Sequence, residues 1–172
     1  MNKRRSADSA PDERLASLTI RHVHDGDYTG WRPLWDGYNS FYGRHGDTAL
    51  PESITALTWK RFLDPAEPMH ALVALSGHES VGLAHYLFHR STNRLTDVCY
   101  LQDLFTSPPM RGRGVATQLI EAVYDLAREA GATRVYWQTH EANRAARAVY
   151  DKLAKHHGFI VYAREIRPTR IS

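Results

Sequence analysis

The chain has 172 residues, 42% hydrophobic and 24% charged, with a formal net charge of +3. That length suits one domain with a sizeable core, and no run approaches the ~20 apolar residues of a membrane span. The basic excess lies at the ends, four basic against three acidic groups in 1–14 and three against one in 164–172, so the neutral body lacks the electrostatic footprint of a nucleic-acid binder.

Residues 1–16 are polar and are expected to form a disordered tail, with 17–172 as a single domain. Leu18 to Val23 alternates as a first strand, and Asp25-Gly26-Asp27 marks a turn with Asp27 as a helix cap. Tyr28 to Tyr42 then spaces Trp31, Leu34, Trp35, Tyr38, Phe41 and Tyr42 at helical intervals. A second helix runs from Pro51 or Glu52 to Leu63. Strands follow at His70 to Ser76 and Ser80 to His89, around a turn at Gly77.

The apolar run Val98 to Phe105 reads as the next strand. Its Cys99 is the chain's single cysteine, which excludes an intramolecular disulfide and suits a reducing, cytoplasmic setting. After a loop, the helix Thr117 to Ala130 keeps Leu119, Ile120, Val123, Leu126 and Ala127 on one face and stops at Gly131. Arg134 to Thr139 is a further strand, Asn143 opens a last helix ended by Gly158, and Phe159 to Ile166 closes the chain as a strand. The order is β-α-α-β-β-β-α-β-α-β, an α/β chain built on a mixed sheet. His85 and His89 are too far apart on a strand for a common chelate, and no Cys/His cluster exists, so no metal is expected.

The loop Ser107-Pro108-Pro109-Met110-Arg111-Gly112-Arg113-Gly114-Val115-Ala116-Thr117 carries the chemistry. A strand, a glycine-bearing turn and a helix N-terminus aim successive backbone N–H groups at one spot, where the helix dipole favours an anion. Arg111 and Arg113 add charge-assisted donors. Gly-x-x-x-x-Gly-Lys-Ser/Thr is absent, and position 117 is Thr where a dinucleotide fingerprint would have its third Gly. Arg111-x-x-Gly114-x-Ala116 remains, followed downstream by Asn143-x-x-Ala146-x-x-x-Tyr150.

Together these motifs resemble the GNAT superfamily of N-acetyltransferases. The likeness spans Leu18 to Ile166 and is strongest to the fungal histone/polyamine acetyltransferase branch. Gly30-Trp31, Leu34-Trp35, Arg61 to Pro65, Tyr100 to Phe105 and Val135 to Thr139 carry it. The resemblance implies the acyl-CoA N-acyltransferase fold and acetyl-CoA as co-substrate, with transfer to a primary amine of a polyamine, amino acid, other small molecule or lysine side chain. It further implies that Leu104, Phe105 and Thr106 pair with the pantetheine arm, and that amides of Gly112, Arg113, Gly114, Val115, Ala116 and Thr117 hold the pyrophosphate beside Arg111. Asn143 would reach the cofactor, Ala146 would leave room, and Tyr150 would sit near the thioester sulfur as general acid. A homodimer is the expectation for quaternary state, with no nucleic-acid or membrane partner.

The general base stays open. Many relatives carry a carboxylate where this chain has Gln102, whose amide cannot take a proton. Asp103 faces the other side of a regular strand unless a bulge re-aims it; Glu141 and His140 are other candidates, and a further route is loss of the proton through ordered water that Gln102 positions. Trp31, Trp35, Tyr38 and Tyr42 are candidates to line an acceptor pocket through cation–π contact, or else they are core. A catalytically silent acyl-CoA-binding sensor or scaffold is the competing reading, favoured by Gln102 and opposed by Asn143 and Tyr150.

Overall fold

The computed structural model describes residues 18–166, so the expected tail at 1–16 lies outside the described residues. The chain divides into two compact units between Gln138 and Thr139.

The first unit is organised on a sheet of five strands in the order β1-β2-β3-β4-β5. These are β1 (Leu18–His22), β2 (Met69–Ser76), β3 (Glu79–His89), β4 (Val98–Thr106) and β5 (Val135–Tyr136). The first four pair antiparallel; β5 joins β4 in parallel. Helices α1 (Tyr28–Phe41) and α2 (Glu52–Leu63) cover one face and α3 (Val115–Glu129) the other.

Periodicity explains both layers. On α1, Trp31, Leu34, Trp35 and Tyr38 form one apolar stripe that packs on Leu83 and Phe105 of the sheet. On α3, Val115, Leu119, Ile120, Val123 and Ala127 are buried, and Gly131 N–H to Arg128 C=O with Ala132 N–H to Ala127 C=O closes the helix in a Schellman arrangement. Asp27 does precede α1, but it makes no side-chain cap bond to it. Its buried carboxylate instead accepts from both terminal nitrogens of Arg21 at 2.6 and 2.8 Å and from His24 N–H, because a bidentate guanidinium is the stronger partner.

Alternation in β3 sends Leu83 and His85 toward α1 and Gly82 toward α3. A Cβ on Gly82 would stand 2.9 Å from Val115 Cγ1 and 3.1 Å from the Phe105 carbonyl oxygen. Gly82→Ala is therefore expected to destabilise the protein by about 1–3 kcal/mol, read as a lowered denaturation midpoint with unchanged m-value.

On β1, β2 and β3, His22 Nε2 is hydrogen-bonded to Tyr86 Oη at 2.8 Å and the His70 ring stacks on Tyr86. Burial lowers the pKa of both histidines below the usual 6.5, and His22 lowers that of His70 further. Protonation thus favours the unfolded chain. The stability these neutral rings contribute is present above pH 6.5 and is lost as pH falls through their lowered values. Thermal melts should show a lower Tm at acid pH, and a His70→Phe variant should lose part of that slope.

Two expected elements differ. The strand anticipated over Arg134 to Thr139 is only Val135–Tyr136, because its ladder with β4 lasts for the pairs Cys99–Val135 and Tyr100–Tyr136. The closing strand over Phe159 to Ile166 is not formed, and Phe159, Ile160, Val161, Tyr162 and Ile166 are exposed. Apolar, β-branched residues raise strand propensity, but a strand also needs a ladder partner, and that is not a property of the local sequence.

The second unit contains α4 (Arg144–Leu153). Asn143 is its N-cap, with Oδ1 accepting from Ala146 N–H and Nδ2 donating to Thr139 Oγ1.

Candidate active site

β4 makes the site through one irregularity. His85 pairs with Asp103 while Tyr86 pairs with Leu101, leaving Gln102 as the extra residue of a bulge. Regular alternation from Tyr100 would send Gln102 to the α1 face and Asp103 away from it. The bulge reverses this, so Gln102 is exposed and Asp103 is buried among the aromatic groups of α1.

A hydrogen-bonded chain fixes the carboxylate. Trp31 Nε1–H donates to His85 Nε2 at 2.9 Å, and His85 Nδ1 lies 3.0 Å from Asp103 Oδ2. An indole nitrogen can only donate, so Nε2 carries no proton and Nδ1–H is the donor to Asp103. This assigns a neutral ring in a single tautomer. The Tyr38 hydroxyl also donates to Asp103, and burial first, then the Asp103 charge, raises its pKa far above the usual phenol value. Tyr42 and Tyr100 are raised by burial and by the same carboxylate.

Sequence reasoning left Trp31 and Trp35 either as candidates to line an acceptor pocket or as core, and both are buried. Trp31 is 0% exposed; it stacks on Trp35 with ring centroids 5.6 Å apart. Trp35 is buried as well and donates to Thr55 Oγ1. Neither offers a surface to a ligand, and Trp31 reaches the site only through His85. Tyr38 and Tyr42 are brought beside Asp103. His85 was missed as a site residue; its signal was an imidazole within the apolar run Val81 to Leu87.

Among the described residues the ladder of β4 with β5 ends at Tyr100, so the β4 edge that faces β5 is unpaired along Leu104 and Phe105. The Thr106 hydroxyl is buried without a hydrogen-bond partner. β4 leads through a turn at Pro108–Met110 into Gly114, the N-cap of α3 at φ 81°, which provides no side-chain cap for Val115, Ala116 and Thr117. Gly112 is likewise left-handed at φ 73°. Arg111 lies over the Phe105 ring, its guanidinium carbon 5.6 Å from the centroid, with Nε donating to the Thr106 carbonyl. A cavity of about 840 Å³ opens beside this loop, lined by Gly37, Phe41, Phe105, Pro108 and Arg111 but not by Asp103 or His85.

An extended acyl-pantetheine with a pyrophosphate fits these features: a strand edge needing a partner, an orphaned hydroxyl and an uncapped helix N-terminus. Gly114→Val forces a β-branched residue into a left-handed conformation. It is expected to raise the KM for acetyl-CoA about tenfold or more, as loss of one charge-assisted contact of about 1.5–3 kcal/mol implies, measured as initial rates against acetyl-CoA concentration.

In the second unit, Asn143, Ala146 and Tyr150 share one face of α4, with Asn143 occupied as the cap. Glu141 is exposed, and its carbonyl accepts from Arg147 Nη1.

Comparison with known proteins agrees with this architecture. The acetyltransferase (GNAT) family model matches residues 31–155. The chain is 31% identical to D-amino-acid N-acetyltransferase HPA3 of Saccharomyces cerevisiae over 149 residues, covering 86% of this chain and 90% of that protein. It is 28% identical to the uncharacterised N-acetyltransferase YhfO of Bacillus subtilis over 135 residues, 78% of this chain and 87% of that protein. Among solved structures, AAC(6')-Iy in complex with the bisubstrate analogue CoA-S-monomethyl-acetylneamine superposes with a TM-score of 0.75 at 21% identity, covering 88% of this chain and 99% of that one.

Proposed function

The chain belongs to the GNAT family of acetyl-CoA-dependent N-acetyltransferases, and from that premise we propose that it acetylates a primary amine by direct attack, with Asp103 as general base and Tyr150 as general acid. One observation carries the reading: the bulge at Gln102 turns the neighbouring carboxylate into the aromatic cluster, two residues before the free edge at Phe105. The amine must be neutral to attack, so Asp103 takes its proton. The nitrogen lone pair then forms the N–C bond at the thioester carbonyl, and collapse breaks the C–S bond. The departing thiolate takes the proton of the Tyr150 hydroxyl, the acetylated nitrogen gives up its surplus proton to restore the phenol, and Asp103 sheds its proton to solvent, giving the N-acetyl amine and free CoA. A phenol of pKa about 10 is a competent donor to a thiolate held within hydrogen-bond reach.

Backbone groups of Leu104, Phe105 and Thr106 receive the pantetheine in this reading, and the amides of Gly112 to Thr117 receive the pyrophosphate. Asn143 turns from its capping role toward the cofactor, and Glu141 and Gln102 have no proton-transfer task. Tyr38 and Tyr42 line the acceptor side. The acceptor named for one relative, a D-amino acid, is an amine.

The test is release of free CoA from acetyl-CoA in the presence of a panel of amines. Acceptor-dependent release supports transfer; tight acetyl-CoA binding with no acceptor-dependent release would assign the chain to sensing or scaffolding.

A further inference from the structure

Asp103 is 7% exposed, and its neighbours differ in what they leave open. His85 and Tyr38 are buried, whereas Tyr42 is 42% exposed and Tyr100 is half-buried. An amine bound for this carboxylate therefore comes in past Tyr42 and Tyr100.

The bulge that turns Asp103 inward also gives it Tyr100 as a neighbour. Tyr100 pairs with Leu87 and Asp103 with His85, and positions 85 and 87 share one face of β3. Tyr100 and Asp103 thus follow one another on the α1 face of β4, where regular alternation would set them on opposite faces. Burial raises the Tyr100 pKa, and Tyr136, Asp103 and Tyr42 raise it further, so the phenol stays protonated beside the carboxylate.

The Tyr100 ring is held from β5. Tyr136 lies against it with centroids 5.0 Å apart. His89 commits Nδ1–H to the Arg90 carbonyl, so its Nε2 accepts from the Tyr136 hydroxyl at 2.9 Å and fixes that ring. Cations already cover the other tyrosines. The Arg44 guanidinium carbon stands 5.7 Å from the Tyr38 centroid and 5.6 Å from that of Tyr42, and the Arg134 guanidinium carbon stands 4.9 Å from that of Tyr136. Among the described residues no cation stands over Tyr100. An aromatic face beside a buried carboxylate attracts an ammonium twice, through the ring quadrupole and through the charge, in a partly desolvated place.

We propose that Tyr100 is an acceptor-binding residue, whose ring takes the incoming ammonium by cation–π contact and presents it to Asp103. This rests on the N-acetyltransferase reading above and adds a strand side chain that the loop and helix motifs do not point to. The contact is made while the amine still carries its proton. It therefore governs KM for the acceptor and leaves the later bond-making steps alone.

The experiment measures CoA release by the full chain with two acceptors at slightly alkaline pH, phenethylamine, which is an ammonium there, and its difluoro analogue, whose fluorines beside the aminomethyl carbon leave it mostly neutral. Tyr100→Leu should raise KM for phenethylamine about three- to thirtyfold, the range of one cation–π contact, and KM for the difluoro analogue less than about twofold. Tyr100→Phe keeps the face and should stay within about twofold of wild type on both. Trifluorophenylalanine incorporated at position 100 keeps the ring's shape but not its negative face, so it should reproduce the leucine result even if leucine disturbs packing. Circular dichroism and the KM for acetyl-CoA, both expected unchanged, report folding and the donor side. Equal losses on the charged and neutral acceptors, no loss on either, or a phenylalanine variant as impaired as leucine overturns the role of Tyr100 while leaving the transferase reading intact. Failure of these two and of every acceptor in the amine panel overturns both.

Discussion

Asp103→Asn is expected to lower kcat/KM by about 10²–10⁴-fold, the usual contribution of a positioned general base, while leaving the fold in place. The amide has nearly the shape of the carboxylate, and its oxygen still accepts from His85 Nδ1–H. What it cannot do is take a proton. His85 separates positioning from catalysis. In His85→Gln the side-chain oxygen can accept from Trp31 and the amide nitrogen can donate to Asp103, whereas His85→Leu leaves the Trp31 N–H buried and unsatisfied at a cost of about 1–3 kcal/mol. The glutamine variant should therefore keep more activity than the leucine variant. A glutamine variant no better than leucine would point to volume, not hydrogen bonding, as the reason His85 is there.

Tyr150→Phe carries the second large effect, again about 10²–10⁴-fold in kcat, with binding of acetyl-CoA little changed. Phenylalanine keeps the ring on the face of α4 and removes only the proton donor. The deficit should depend on the leaving group: an acetyl thioester of a more acidic thiol needs less help in departing, so the variant should recover relative to wild type on such a donor. Retained full turnover with acetyl-CoA would remove Tyr150 from the mechanism. A double variant with Asp103→Asn should show non-additive losses, because proton removal and proton delivery serve one transfer.

Local patterns were enough for much of this molecule. The α1 stripe, the α3 stripe and its stop at Gly131 follow from helical periodicity: Trp31, Leu34, Trp35 and Tyr38 are buried on α1 and Leu119, Ile120, Val123 and Ala127 on α3, while Phe41 and Tyr42 at the end of the first stripe are exposed. The glycine loop was equally legible, because left-handed backbone at Gly112 and Gly114 and an uncapped helix start are local properties. Trp31 and Trp35 show the limit: the same spacing suits a core or a pocket, and only the packing of α2 and β3 against α1 closes them off.

The base question divides the two sources of information most clearly. Sequence alone supplied a carboxylate at position 103 next to an inert amide at 102, together with the phosphate loop and the Asn143–Tyr150 spacing. It could not say which of the neighbours faced α1, since strand alternation has a period of two and one extra residue inverts it. Only pairing with β3 reveals that extra residue, and only the fold brings Tyr38 and His85 within hydrogen-bonding reach of Asp103, with Trp31 behind His85. The proposed donor side of the reaction is written in contiguous residues because a loop and a helix start suffice to bind a pyrophosphate. The proposed acceptor side is assembled from α1, β3 and β4, because burying and orienting a carboxylate takes partners that the chain can supply only by folding.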